Sequence, residues 1–86
     1  MTKAIYDMRH AAICGALLAA RKSKELSLIQ VSNILKQKGK TFLTAETIGL
    51  IEKGQRKIDI VEFVDLANAI NIPWLRLLPE QIRESM

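Results

Sequence analysis

Residues 44–57 read TAETIGLIEKGQRK, and the pattern inside them decides how the rest of the chain is organised. Thr44 is a capping residue type, because its hydroxyl can accept from an otherwise orphaned backbone N–H, and Gly54 suits the left-handed turn that closes a helix. Glu46 stands where the positive end of a helix dipole favours a carboxylate. At about 100° per residue, Ile48 and Ile51 share one side with Glu52 at its edge, while Ala45, Glu46, Gly49, Leu50 and Lys53 fall on the other. The stretch therefore predicts a short helix with one side in the core and the other turned toward something else. Lys53, Arg56 and Lys57 cluster around its end.

Upstream, SLIQ at 27–30 marks a second helix. Ser27 can cap it while Gln30 reaches back, and Leu26 can pack on Val31 as a hydrophobic staple. That helix carries Val31, Ile34 and Leu35 inward and should fray in KQKGK, where Gly39 suits a left-handed turn. A first helix is predicted from Asp7 as cap to about Lys24, with Ile13, Ala16, Leu17 and Ala20 as its buried stripe and Arg21 one turn beyond. Downstream, Asp59 and Glu62 form an acidic capping box, Ile58 can staple to Phe63, and Phe63, Val64, Ala67 and Ile70 make a buried face. Pro73 suits the first position of a fifth helix, PWLRLL; Pro79 either ends it or starts a last turn through Met86. Five short helices without strands is the expected architecture.

The chain has 86 residues, 49% hydrophobic but only 5% aromatic. Such a length allows one domain, read here as an arm (1–8), a core (9–78) and a tail (79–86), and an aliphatic core suits helix-on-helix packing. The single Cys14 has no internal disulfide partner, and Asp7, Arg9 and His10 before the apolar run at 11–20 do not read as a signal peptide. That run is short of the roughly 20 residues of a membrane span. A cytoplasmic protein without a membrane segment is expected. His10 and Cys14 have a metal-ligand spacing, but no second pair accompanies them, so they are read as ordinary helix residues with no metal or other cofactor. With one His, one Cys and no glycine-rich phosphate loop, enzyme activity is not expected. A net charge of +4 modestly favours polyanionic partners.

LLAARKSKELSLIQVSNIL at 17–35, TIGLIEKGQRKIDIVEFVDLANAINI at 47–72 and PWLRLL at 73–78 together resemble the phage repressor and Cro type of helix-turn-helix domain, the XRE family. IEKGQRKIDIVEF is especially similar to a bacterial subgroup of it, and the resemblance covers roughly residues 9–78. It implies an all-α, five-helix lambda-repressor-like domain that binds double-stranded DNA as a homodimer, with residues 44–53 as recognition helix. Thr44, Ala45, Glu46, Gly49 and Leu50 then take the base-reading positions. Lys36, Lys38, Lys40, Lys53, Arg56 and Lys57 are the candidates for phosphate contacts, and Arg21 and Glu52 match the family's structural ion pair.

Three features depart from the family pattern. KQKGKTF between Leu35 and Leu43 makes an extended turn between helices two and three. Leu28 stands where many members have a backbone-touching glutamine. Ala45, Glu46 and Leu50 offer no bidentate pairing with guanine or adenine, although Glu46 can accept from a cytosine amino group and Ala45 or Leu50 can touch a thymine methyl. Sequence reading is then expected to lean on a few weak contacts plus DNA shape. Leu50 itself has three readings: packing under Phe42 and the turn, contact with a thymine methyl, or a protein interface. Trp74, Leu75, Leu77, Leu78 and Ile82 are more apolar than a short tail needs. They pack on the first helix, or Trp74, Leu75, Leu78 and Ile82 form a symmetric dimer seam. The expected function is a sequence-specific transcriptional regulator that represses by occupying a promoter. The alternatives are a protein-interaction module of antirepressor or antitoxin-like kind, with a regulatory protein as partner, and a nonspecific architectural binder.

Overall fold

The structure, a computed structural model, describes residues 8–80 and Glu84. The chain forms α1 (Met8–Ser23), α2 (Leu28–Gln37), α3 (Ala45–Glu52) and α4 (Ile60–Ile70), followed by a 3-10 turn (Trp74–Leu77). No strand occurs among the described residues, and none of their helices is long and apolar enough to cross a membrane.

The helix starts are closed by side chains near them in sequence. Ser27 Oγ accepts the Gln30 N–H at 3.1 Å and Gln30 Oε1 accepts the Ser27 N–H at 2.7 Å. Asp59 Oδ1 accepts the Glu62 N–H at 2.7 Å and Glu62 Oε1 accepts the Asp59 N–H at 3.2 Å, so both capping boxes are complete. Thr44 Oγ1 accepts from the Thr47 N–H at 3.2 Å. Asp7, expected to cap α1, lies outside the described residues.

The helix ends share one device. After each α-helix a residue takes positive φ: Glu25 (57°), Gly39 (80°), Gly54 (74°) and Asn71 (67°). The next N–H in each case returns to a carbonyl in the last turn: Leu26 to Arg21, Lys40 to Leu35, Gln55 to Leu50 and Ile72 to Ala67, at 2.8–3.2 Å. This is the Schellman arrangement, which satisfies carbonyls that would otherwise end the helix unpaired. At Glu25 it is held by a residue with a Cβ, at a cost of about 1 kcal/mol. Glu25→Gly should therefore raise stability by about 1 kcal/mol. A urea midpoint that fails to rise would show that Glu25 is not strained.

The core is aliphatic and drawn from every element. Leu17 and Ala20 of α1 meet Val31 and Leu35 of α2, Ile48 and Ile51 of α3, and Phe63, Leu66, Ala67 and Ile70 of α4. Two stripes differ from the expected ones. Cys14 is buried on α1 at 1% exposure while Ile13 and Ala16 flank the core half-buried, and Leu66 rather than Val64 sits at the centre of α4. Burial pushes the Cys14 thiol pKa up, away from reactive thiolate character.

The largest correction concerns PWLRLL. It forms a four-residue 3-10 turn that Pro73 precedes rather than joins, and not a fifth α-helix. Pro79 disfavours helical backbone at Leu78, which is extended at φ −72°, ψ 131°. Too few residues remain between the two prolines for i→i+4 bonding to become established. Leu77 alone in this turn is buried.

Candidate nucleic-acid interface

α3 is fixed from behind. Ile48 and Ile51 are sunk in the core, and the Glu52 carboxylate receives Arg21 of α1 in a fork: Nε to Oε2 at 2.7 Å and Nη2 to Oε1 at 2.9 Å. Arg21 Nη1 also donates to the Leu26 carbonyl at 2.8 Å. One guanidinium thus joins α1, the α1–α2 link and α3, in the planar geometry that lysine cannot reproduce.

The opposite side of α3 is open. Glu46 and Leu50 are exposed, and Ala45 and Gly49 are half-buried beside them. Leu28, the first residue of α2, lies against α3 at Gly49, where a Cβ would stand 3.4 Å from Leu28 Cδ1, an ordinary van der Waals contact. Leu28 thereby serves packing where the family pattern has a polar residue. Thr44 is occupied with capping and with a hydroxyl contact to Thr47 at 3.0 Å. Leu50 is 38% exposed and Phe42 is 55% exposed, so packing of Leu50 under Phe42 buries neither of them.

The cations expected to hold phosphates divide into two groups. Lys36 in the last turn of α2, Lys38 just after it, and Lys53 and Lys57 after α3 are exposed and make no side-chain hydrogen bond or ion pair among the described residues. The other two are turned toward the protein. Lys40 Nζ lies 3.6 Å from Asp65 Oδ1 of α4, tying the turn to the core, while Asp65 Oδ2 is buried without a hydrogen-bond partner. Arg56 donates Nη1 and Nη2 to the two Glu62 oxygens at 3.0 Å each, and Nη1 also reaches the Lys57 carbonyl at 3.1 Å. The Arg56 hydrogen bonds hold the Glu62 carboxyl below the usual glutamate range, against the opposing effect of burial.

His10 has a structural task that its spacing to Cys14 did not suggest. Its Nε2 accepts the Ile58 N–H at 3.3 Å, which satisfies a donor in the α3–α4 link, and its ring nitrogens lie 3.7 and 3.8 Å from Cys14 Sγ. Lys40–Asp65 and Arg56–Glu62 were likewise unforeseen. The one available signal was Glu62, whose capping role places a carboxylate beside the link that carries Arg56.

Of the expected seam, Trp74 and Leu75 are exposed, and Leu78 is half-buried. Leu78 lines a cleft of about 150 Å³ with Ile13, Ile58, Ile60 and Phe63. Ile82 lies outside the described residues. Comparison with protein-family models, with curated proteins and with solved structures finds no match.

Proposed function

We propose that the protein is a DNA-binding transcriptional regulator of helix-turn-helix type that acts as a dimer, with α3 as recognition helix. The observation that carries this is the setting of α3: clamped on one side by Ile48, Ile51 and the Arg21–Glu52 fork, open on the other, with unpaired lysines in the segments before and after it. An α-helix with its side chains is about 10–12 Å across, which a major groove about 12 Å wide admits. Lys36, Lys38, Lys53 and Lys57 hold the backbone and set the register, while Ala45, Glu46 and Leu50 meet base edges. Trp74, Leu75 and Leu78 supply the seam, and a dimer on two half-sites represses by occupying the promoter.

The deciding experiment is capture of sheared genomic DNA by the purified protein at ~150 mM salt, with sequencing of what is retained. Enriched sites with inverted repeats about one helical turn apart are expected; uniform recovery would remove sequence reading, and no recovery would remove DNA. Salt titration on an enriched site divides the cations. Lys53→Ala and Lys57→Ala should each lower the slope of log K against log salt by about 0.9. Arg56→Ala should leave that slope nearly unchanged, because its guanidinium is bonded to Glu62. An equal drop for Arg56 would restore it to the phosphate clamp.

The exposure of Phe42, Leu50 and Ile29 favours a second reading, a helix-turn-helix module whose partner is a protein. Lys57→Glu abolishes function in the DNA reading. In the protein reading Lys57→Glu is tolerated and Leu50→Asp is destructive.

A further inference from the structure

Glu46 is exposed on the open side of α3 and makes no side-chain hydrogen bond or ion pair among the described residues. If α3 enters DNA, this carboxylate is carried toward a polyanion without a cation to neutralise it. Such a placement costs free energy unless the carboxylate finds a donor where it arrives. An ionised carboxylate only accepts hydrogen bonds. In the major groove guanine presents acceptors and thymine an acceptor beside its methyl, while adenine sets an acceptor next to its amino group; cytosine itself presents only its N4 amino donor, the acceptors of that pair lying on guanine. Glu46 is therefore matched to cytosine and repelled by atoms on the other bases.

Leu50 adds a second condition. It follows Glu46 by four residues, so the two side chains are neighbours on one helix face. Ala45 and Gly49 form the adjacent pair and add no polar side-chain atom. The carboxylate is thus bordered by apolar surface. On cytosine, the carbon next to the one bearing the amino group is C5, which carries either a hydrogen or a methyl group. Resting on the DNA-binding reading, we infer that the Glu46–Leu50 stripe reads cytosine and prefers it methylated at C5. A thymine in the same place would offer the methyl to Leu50 but set its O4 against Glu46.

The test uses the full chain at ~150 mM salt and two pools of random duplex DNA, one synthesised with cytosine and the other with 5-methylcytosine, each selected and sequenced. The expected motif has a fixed cytosine in each half-site, and a methyl on that cytosine tightens binding about fourfold, the worth of one methyl group withdrawn from water. Leu50→Ala brings the ratio of affinities for the methylated and unmethylated sites to about one, whatever its effect on the affinity for either. Glu46→Gln shifts the fixed position toward adenine, which glutamine pairs through N6 and N7. A motif lacking a fixed cytosine, a site bound equally or less well when methylated, or a preference that survives Leu50→Ala overturns the inference and leaves DNA binding standing. Failure of both pools to yield a motif overturns sequence reading itself and the inference with it.

Discussion

Arg21→Met is expected to destabilise the fold by about 3–5 kcal/mol, because it strands the Glu52 carboxylate in the interior. The side chains of Arg21 and Glu52 are 12% and 5% exposed, and the fork between them is the only ion pair joining α1 to α3 among the described residues. A domain of this size commonly has about 5–15 kcal/mol in total, so the loss is a large fraction of the stability and partly unfolds the variant if the wild type lies at the lower end. The loss largely disappears when both charges go. Arg21→Met combined with Glu52→Leu removes the desolvation penalty together with the attraction and should recover most of the loss. Urea denaturation of the wild type, the single and the double variant decides the matter. A double variant as unstable as the single one would mean that the fork's geometry stabilises the fold, rather than compensating for two buried charges.

The second large effect is expected at Glu62. Its carboxylate accepts the Asp59 N–H and both Arg56 donors, so Glu62→Ala loses half of a capping box and a forked charged pair. The expected cost is about 2–3 kcal/mol. The same residue gives stability a pH dependence with a definite sign. Its pKa is lowered on folding, chiefly by the Arg56 hydrogen bonds, so the native state binds fewer protons than the unfolded one in acid. The associated stability is complete above the ordinary glutamate value of about 4.3 and is lost as pH falls through the lower folded value. Glu62→Gln keeps an acceptor for the Asp59 N–H but cannot titrate. Its urea midpoint should fall less between about pH 5 and pH 2 than that of the wild type. Equal acid sensitivity in the two proteins would assign the titration to other carboxylates.

Much of the fold was legible because the devices that make it are local. Ser27 with Gln30, and Asp59 with Glu62, announce helix starts within three residues, and Gly39 and Gly54 announce ends. Glu25 announces nothing, since a glutamate has no preference for the left-handed region it occupies; the turn is imposed by the packing on either side. The two sides of α3 followed from helical periodicity, which put Ile48, Ile51 and Glu52 inward and Glu46, Leu50 and Lys53 outward. The pairing of Arg21 with Glu52 spans 31 positions and was suggested by resemblance, not by any local spacing. Arg56–Glu62 and Lys40–Asp65 cross links between helices, where no periodicity applies, so both cations were expected at the phosphates. PWLRLL suits a helix start at Pro73, but Pro79 stands six residues on and holds Leu78 extended, so the segment between the two prolines closes only a 3-10 turn. The partner that meets the open side of α3 is not encoded in the elements that hold it.

The α2–α3 link leaves one liberty to the lineage that carries this domain. The Schellman turn finishes α2, the Thr44 cap begins α3, Lys40 is moored to Asp65 and Leu43 is embedded in the core, so each end of the span is secured independently. Only Thr41 and Phe42 lie between those moorings, both facing outward. Insertions or deletions at that spot would alter what overhangs the open face without re-registering either helix. Divergence among descendants should therefore accumulate there first, changing the company the protein keeps while its architecture is inherited intact.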